Sequence, residues 1–124
     1  MSDIDREQLA WAAGLFDGEG SISYCVRTQG KYTYPQIQLC VSQSGNGHAE
    51  SLLARFQKAV CGLGMINGPY VNKGHGKKPR WHWSTAKFET IQAVVCMLWP
   101  WLHTTKRSDV VRVLTSYRDR LGVA

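Results

Sequence analysis

Asp17 and Glu19 are the side chains whose placement asks for a chemical explanation. They close the run Trp11-Ala12-Ala13-Gly14-Leu15-Phe16-Asp17-Gly18-Glu19-Gly20, which is apolar, rich in small residues and bracketed at its end by glycines. Such a run reads as a helix. Carboxylates suit a helix C-terminus badly, because the macrodipole is already negative there. They are also the hard oxygen ligands that divalent cations prefer, so a helix end that carries them against its dipole is a place to hold a metal. The plainer reading is a helix stop, since Gly18 and Gly20 suit left-handed C-capping positions. The run by itself leaves both readings open.

No other group of titratable residues competes with it. Cys25, Cys40, Cys61 and Cys96 form no C-x-x-C pair, and His48, His75, His82 and His103 are scattered, so no zinc pattern emerges. The cysteines read as reduced, mostly buried small apolar residues. With 15 Lys and Arg against 9 Asp and Glu, the formal charge is +6, which favours a polyanionic partner, nucleic acid ahead of an acidic membrane. A hydrophobic share of 44% over 124 residues excludes a disordered chain and suits one domain, 1–124, with a real core. Met1–Glu7 is charged and lacks the apolar stretch of a signal peptide, and no run is long enough to span a bilayer. The expectation is a soluble intracellular protein, in a prokaryotic cytoplasm or an organelle matrix, with no membrane partner.

The hydrophobic periods supply the elements that must position Asp17 and Glu19. Ser2 or Asp3 caps a first helix that runs to about Asp17. Ser21–Arg27 alternates, with Ile22, Tyr24 and Val26 on one face and Ser21, Ser23, Cys25 and Arg27 on the other. After a turn at Thr28-Gln29-Gly30-Lys31, Tyr34–Ser42 alternates again. Ile37, Leu39 and Val41 point inward there, and Tyr34, Gln36, Gln38, Cys40 and Ser42 outward. The two segments predict an antiparallel hairpin with one apolar face. His48 to about Val60 carries Leu52, Leu53, Phe56 and Val60 at helical spacing, and Gly62 and Gly64 stop it. A second hairpin joins Met65-Ile66-Asn67 and Pro69-Tyr70-Val71 to Arg80–Ser84, where Trp81 and Trp83 share the buried face and Arg80 and His82 the open one. Phe88–Leu98 is a third helix, ended by Pro100, and Lys106–Leu121 a fourth. The order predicts an α+β fold with one twisted antiparallel four-stranded sheet.

The outer strand faces carry Gln, Ser, Arg, His and Tyr rather than acids or aliphatics. Gln can read adenine bidentately, Arg guanine, and Ser either, and a two-stranded ribbon fits the major groove. A polar solvent face is the alternative. The basic, glycine-rich loop Asn72–Arg80 is likewise either a solvated tip or a phosphate-contacting loop.

The chain resembles the LAGLIDADG homing endonucleases. Ala12-Ala13-Gly14-Leu15-Phe16-Asp17-Gly18-Glu19-Gly20 aligns with the family's name-giving nonapeptide and matches it at Ala13, Gly14, Leu15, Asp17 and Gly20. The eighth position is Glu19 where the name has Asp, which keeps the charge and lengthens the arm by one methylene. The inferred element order is that family's α-β-β-α-β-β-α core with one further helix. One motif in this length resembles the single-motif branch, whose members act as homodimers.

The resemblance implies roles for individual residues. Glu19 matches the carboxylate that binds the catalytic Mg2+, with Mn2+ or Ca2+ able to substitute for binding, and the Gly18 carbonyl matches a second metal contact. Gln43 matches a glutamine that orders the hydrolytic water, and Lys106 the active-site lysine. For a second basic residue, usual near the start of helix two, only His48 is at hand. Ala12, Ala13, Gly14 and Phe16 fall where the motif helix meets its twin, with Asp17 there mainly structural. Ser23, Cys25, Arg27, Tyr34, Gln36, Gln38, Cys40, Arg80 and His82 on the strands, with Asn72, Lys73, Lys77 and Lys78 in the loop, are the expected DNA contacts. The implied function is site-specific cleavage of a long pseudo-palindromic duplex, leaving 3′ overhangs. A catalytically inactive relative that binds DNA, or an intron RNA maturase, is the alternative. A basic structural protein with no nucleic-acid role is a third reading.

Overall fold

Asp5 caps the first helix. In the computed structural model, which describes residues 4–45, 47–71 and 78–121, its carboxylate accepts the backbone N–H groups of Glu7 and Gln8 at 3.0 and 3.2 Å. The expected caps Ser2 and Asp3 lie outside the described residues. Asp5 takes the role because it is the last extended residue before the helical ones, where an acceptor side chain reaches the unpaired N–H groups. Helix α1 (Arg6–Glu19) then runs two residues past Asp17 and enters strand β1 (Gly20–Gln29) without a loop.

That junction corrects the reading of the glycines as left-handed caps. Gly20 has φ −86° and ψ 157°, which any residue can adopt. Glycine is needed there for space: a Cβ would overlap the ring of Phe16, itself 1% exposed and unable to retreat. Gly20→Ala is expected to destabilise the fold by about 1–3 kcal/mol, the range for overpacking. The measurement is the urea midpoint, which should fall at an unchanged m-value.

The remaining elements are β2 (Tyr32–Ser44), α2 (Ala49–Ala59), β3 (Met65–Tyr70), β4 (Arg80–Thr85), α3 (Phe88–Leu98), a 3-10 turn at Trp99–Trp101 and α4 (Thr104–Leu121). The strands form one antiparallel sheet in the order β1-β2-β4-β3. All four helices bury their apolar stripes on one face of it. Leu9 and Phe16 of α1, Leu53 and Phe56 of α2, Ile91 and Val94 of α3 and Val110 of α4 meet Ile37, Leu39, Val41 and Trp83 of the strands. Phe56 meets Trp83 edge-on at a centroid distance of 4.7 Å, and the Trp83 indole donates to the Leu63 carbonyl at 2.9 Å, so the buried ring keeps no unpaired N–H.

The alternation read from the sequence divides the sheet as expected, apart from Val26, which is exposed although it shares the face of Ile22. The cysteines differ from expectation. All four are free, but Cys25, Cys61 and Cys96 are exposed and Cys40 is half-buried. Cys25 and Cys40 lie on the outer strand face, Cys96 points away from the buried stripe of α3, and Cys61 sits in the turn after α2.

Candidate active site

Glu19 is the last residue of α1, and the strand that follows fixes where it opens. Gly20 pairs with Val41. Antiparallel pairing therefore sets Glu19 beside the residues that follow Val41. Farther along, Gln43 pairs with Trp81 and Ser44 with Arg80, and the Gly45 N–H donates to the Pro79 carbonyl at 3.0 Å. The result is a recess of about 270 Å3 lined by Glu19, Ser42, Gln43, Ser44 and Arg80. At ~30 Å3 per water in the liquid, it has room for a phosphate group with several waters.

The recess offers one carboxylate, one amide and two hydroxyls, all hard oxygen donors of the kind that hold Mg2+ or Ca2+ together with water. Among the described residues Glu19 makes no ion pair, and no cluster of three or more His, Cys, Asp or Glu surrounds it. A single chain thus presents one acidic ligand, suited to a hydrated cation and not to a closed cage.

Asp17 and Lys106 brace this site from the other side. Both Asp17 carboxylate oxygens accept the His103 N–H at 3.1 Å, just ahead of α4, whose first turn has no acid of its own. A carboxylate against the dipole of α1 thereby complements the positive N-terminus of α4. The Lys106 Nζ donates to the Gly20 carbonyl at 2.8 Å and lies 5.5 Å from the Phe16 ring centroid. The lysine holds the α1–β1 junction that aims Glu19 and does not line the recess. His48 stands at the start of α2 without a capping bond and is also absent from the lining.

The sequence reading has Arg80 among the expected DNA contacts but misses its place in this recess, as it misses that of Ser42 and Ser44. Alternation put Arg80 with His82 on the outer face, which is correct. Only the β2–β4 register shows that it sits opposite the last residue of β2, beside Glu19.

The helix-free face of the sheet holds the remaining strand residues singled out above. Ser23, Cys25, Arg27, Tyr34 and Gln38 are exposed, and Gln36, Cys40 and His82 half-buried. The Arg27 Nε donates to Gln36 Oε1, and Ser42 Oγ lies 2.6 Å from His82 Nδ1. The four strands contain no Asp or Glu, and their only charged side chains are Arg27 and Arg80. Asn72, Lys73 and Lys77 lie outside the described residues, while Lys78 is exposed next to them.

The small-residue face of α1 is only partly where the nonapeptide suggests. Ala12, Ala13 and Phe16 are buried in the chain's own core, at 0%, 0% and 1% exposure, so they cannot be the surface that a second copy touches. Gly14 and Gly18, one turn apart, are the exposed positions, and a Cβ at either would meet nothing within 4 Å.

Neither a family model nor a curated protein matches the chain. Solved structures do. The homing endonuclease I-CvuI, crystallised with the I-CreI target and 2 mM Mg, is similar over 88% of this chain and 65% of its own, at 20% identity and a TM-score of 0.67. The group I intron-encoded homing endonuclease I-CeuI, complexed with DNA, is similar over 96% and 56%, at 12% identity and a TM-score of 0.67. The LAGLIDADG homing endonuclease I-LtrWI, bound to target DNA, is similar over 90% of this chain and 37% of its own, at 19% identity and a TM-score of 0.69. The chain therefore spans less than two thirds of each of these proteins. Its helices and sheet are arranged as theirs are: the chain has the LAGLIDADG homing endonuclease fold.

Proposed function

We propose that the chain acts as a homodimeric, divalent-metal-dependent, site-specific DNA endonuclease, as its resemblance implies. The observation that carries this reading is the position of Glu19. It is a carboxylate opening, with Gln43 and Arg80, into a recess at the end of a sheet face whose strands hold no other acid. A carboxylate-free face with two arginines suits a polyanion, and a carboxylate at its end suits a metal at the phosphate being cut.

The proposed mechanism uses the residues as they stand. Glu19, which opens into the recess, and the Gly18 carbonyl, which the resemblance implies as a second contact, would hold the cation together with water. When bound, it would supply charge neutralisation and a more acidic water. Gln43 orients the attacking water through its amide. Lys106 and Asp17 keep the helix end fixed, by the Gly20 carbonyl and the His103 N–H respectively. Each protomer brings one Glu19, so two copies give one site for each DNA strand, and two sheets read a pseudo-palindrome by symmetry. The open glycines of α1 are the contact between copies.

The test uses a pool of randomised double-stranded DNA. The protein should enrich a long two-fold-related sequence in Ca2+, cut both strands of it after Mg2+ is added, and leave 3′ overhangs. EDTA should abolish cutting. Enrichment without cutting in Mg2+ or Mn2+ would replace the enzyme by a DNA-binding relative, and failure to enrich any duplex would remove DNA from the function.

A further inference from the structure

We propose that Arg80 contacts the phosphate being cut and stabilises the charge that builds on it, acting as a catalytic residue and not as a reader of base sequence. The inference rests on the endonuclease reading and assigns a new role within the same recess. Its first support is placement. Arg80 lies at the sheet's end opposite Ser44, and its side chain lines the recess together with Glu19 and Gln43. The base-facing positions of β2 and β4 continue away from it, through the Ser42–His82 and Cys40–Ser84 pairs.

The second support is electrostatic. Glu19 and Arg80 are opposite charges facing one recess, yet among the described residues they form no ion pair. A space flanked by an anion on one side and a guanidinium on the other matches a cation bound to a phosphate, each next to its opposite charge. The guanidinium offers a planar fork of donors that fits two phosphate oxygens at once. The third support is the backbone. The Ser44–Arg80 pairing and the bond from the Gly45 N–H to the Pro79 carbonyl hold the Arg80 backbone at the recess, so its side chain starts beside Glu19 and Gln43.

In the reaction, the water oxygen bonds to phosphorus while the bond from phosphorus to the leaving sugar oxygen breaks. That oxygen keeps the electron pair and takes up a proton, and the water loses one. Negative charge rises on the non-bridging oxygens in between. Arg80 donates two N–H groups to those oxygens.

The experiment compares wild type, Arg80→Ala, Arg80→Lys and Arg27→Ala, using the duplex enriched by wild type from the randomised pool. Affinity, base-preference profile, phosphate-ethylation interference and single-turnover cutting are measured on each. For Arg80→Ala we expect affinity within about threefold of wild type, an unchanged base profile and loss of interference at the cut phosphate. Cutting should slow by roughly 10²-fold or more, the size of losing one charge-stabilising donor. Arg80→Lys should recover part of the rate, because it restores the charge without the fork. Arg27→Ala should instead relax preference at one base position. A cutting rate within threefold of wild type, or a relaxed base position in Arg80→Ala, overturns the proposal and leaves the endonuclease reading standing. Wild type that enriches a duplex but does not cut it removes the catalytic role along with the enzyme reading, and the interference pattern then decides the phosphate contact alone.

Discussion

Glu19→Gln is expected to bind the enriched duplex as wild type does and to cut it at least about 10³-fold more slowly. The amide has nearly the size of the carboxylate, and Glu19 is exposed, so the fold has little to lose. What disappears is the one negative ligand on this side of the recess. A metal's effect on a phosphoryl transition state is several kcal/mol, and each ~1.4 kcal/mol is tenfold in rate. Among the described residues no neighbouring cluster of acids stands ready to replace it. Asp17, two residues away, has both oxygens engaged by the His103 N–H. Single-turnover cutting in Mg2+, with affinity measured in Ca2+, separates the two effects. Cutting by Glu19→Gln at the wild-type rate would remove Glu19 from the mechanism. Glu19→Asp provides a finer comparison, since it restores the charge on an arm one methylene shorter and should recover a part of the activity.

The elements were legible because their signals are local. Period-2 alternation assigned Ile22, Ile37, Leu39, Val41, Trp81 and Trp83 to the helix side of the sheet, and Pro100 ended the third helix close to where α3 stops. The junction at Glu19 was legible as a chemical misfit but not as a geometry. Whether Gly20 is a left-handed cap or a gap for Phe16 depends on a side chain folded back beneath it. Asp17's partner, His103, lies 86 residues away in sequence, and Arg80's place in the recess depends on the β2–β4 register. No local period encodes either. The face of α1 was misassigned for a related reason. Small residues mark close packing without saying whose backbone approaches, and Ala12 and Ala13 turned out to serve the chain's own core while Gly14 and Gly18 do not.

Gly14 carries the second large prediction, because it sits where the protomer has no use for it. A glycine inside a helix is less favourable than alanine by roughly 0.5–1 kcal/mol. At position 14 that disadvantage is not offset by packing within the chain, since a Cβ there meets nothing within 4 Å. Gly18, one turn on, is equally open, so the space they leave together fits a second backbone brought close. Gly14→Leu should therefore raise the thermal stability of the isolated protomer, by several tenths of a kcal/mol from helix propensity alone, while its side chain fills the space the partner helix needs. We expect wild type to sediment at twice the 13.9 kDa protomer mass at micromolar concentration, and Gly14→Leu to sediment as a monomer. Double-strand cutting should be lost with the dimer, since each monomer brings one Glu19 and half of the reading surface. Gly14→Ala, with a single added methyl, should fall between the two in dimer affinity. A monomeric wild type, with and without DNA, or a Gly14→Leu variant that dimerises as tightly as wild type, would place the contact between copies elsewhere. The opposite signs expected for protomer stability and for assembly keep a true interface apart from a mere folding defect, which would lower both.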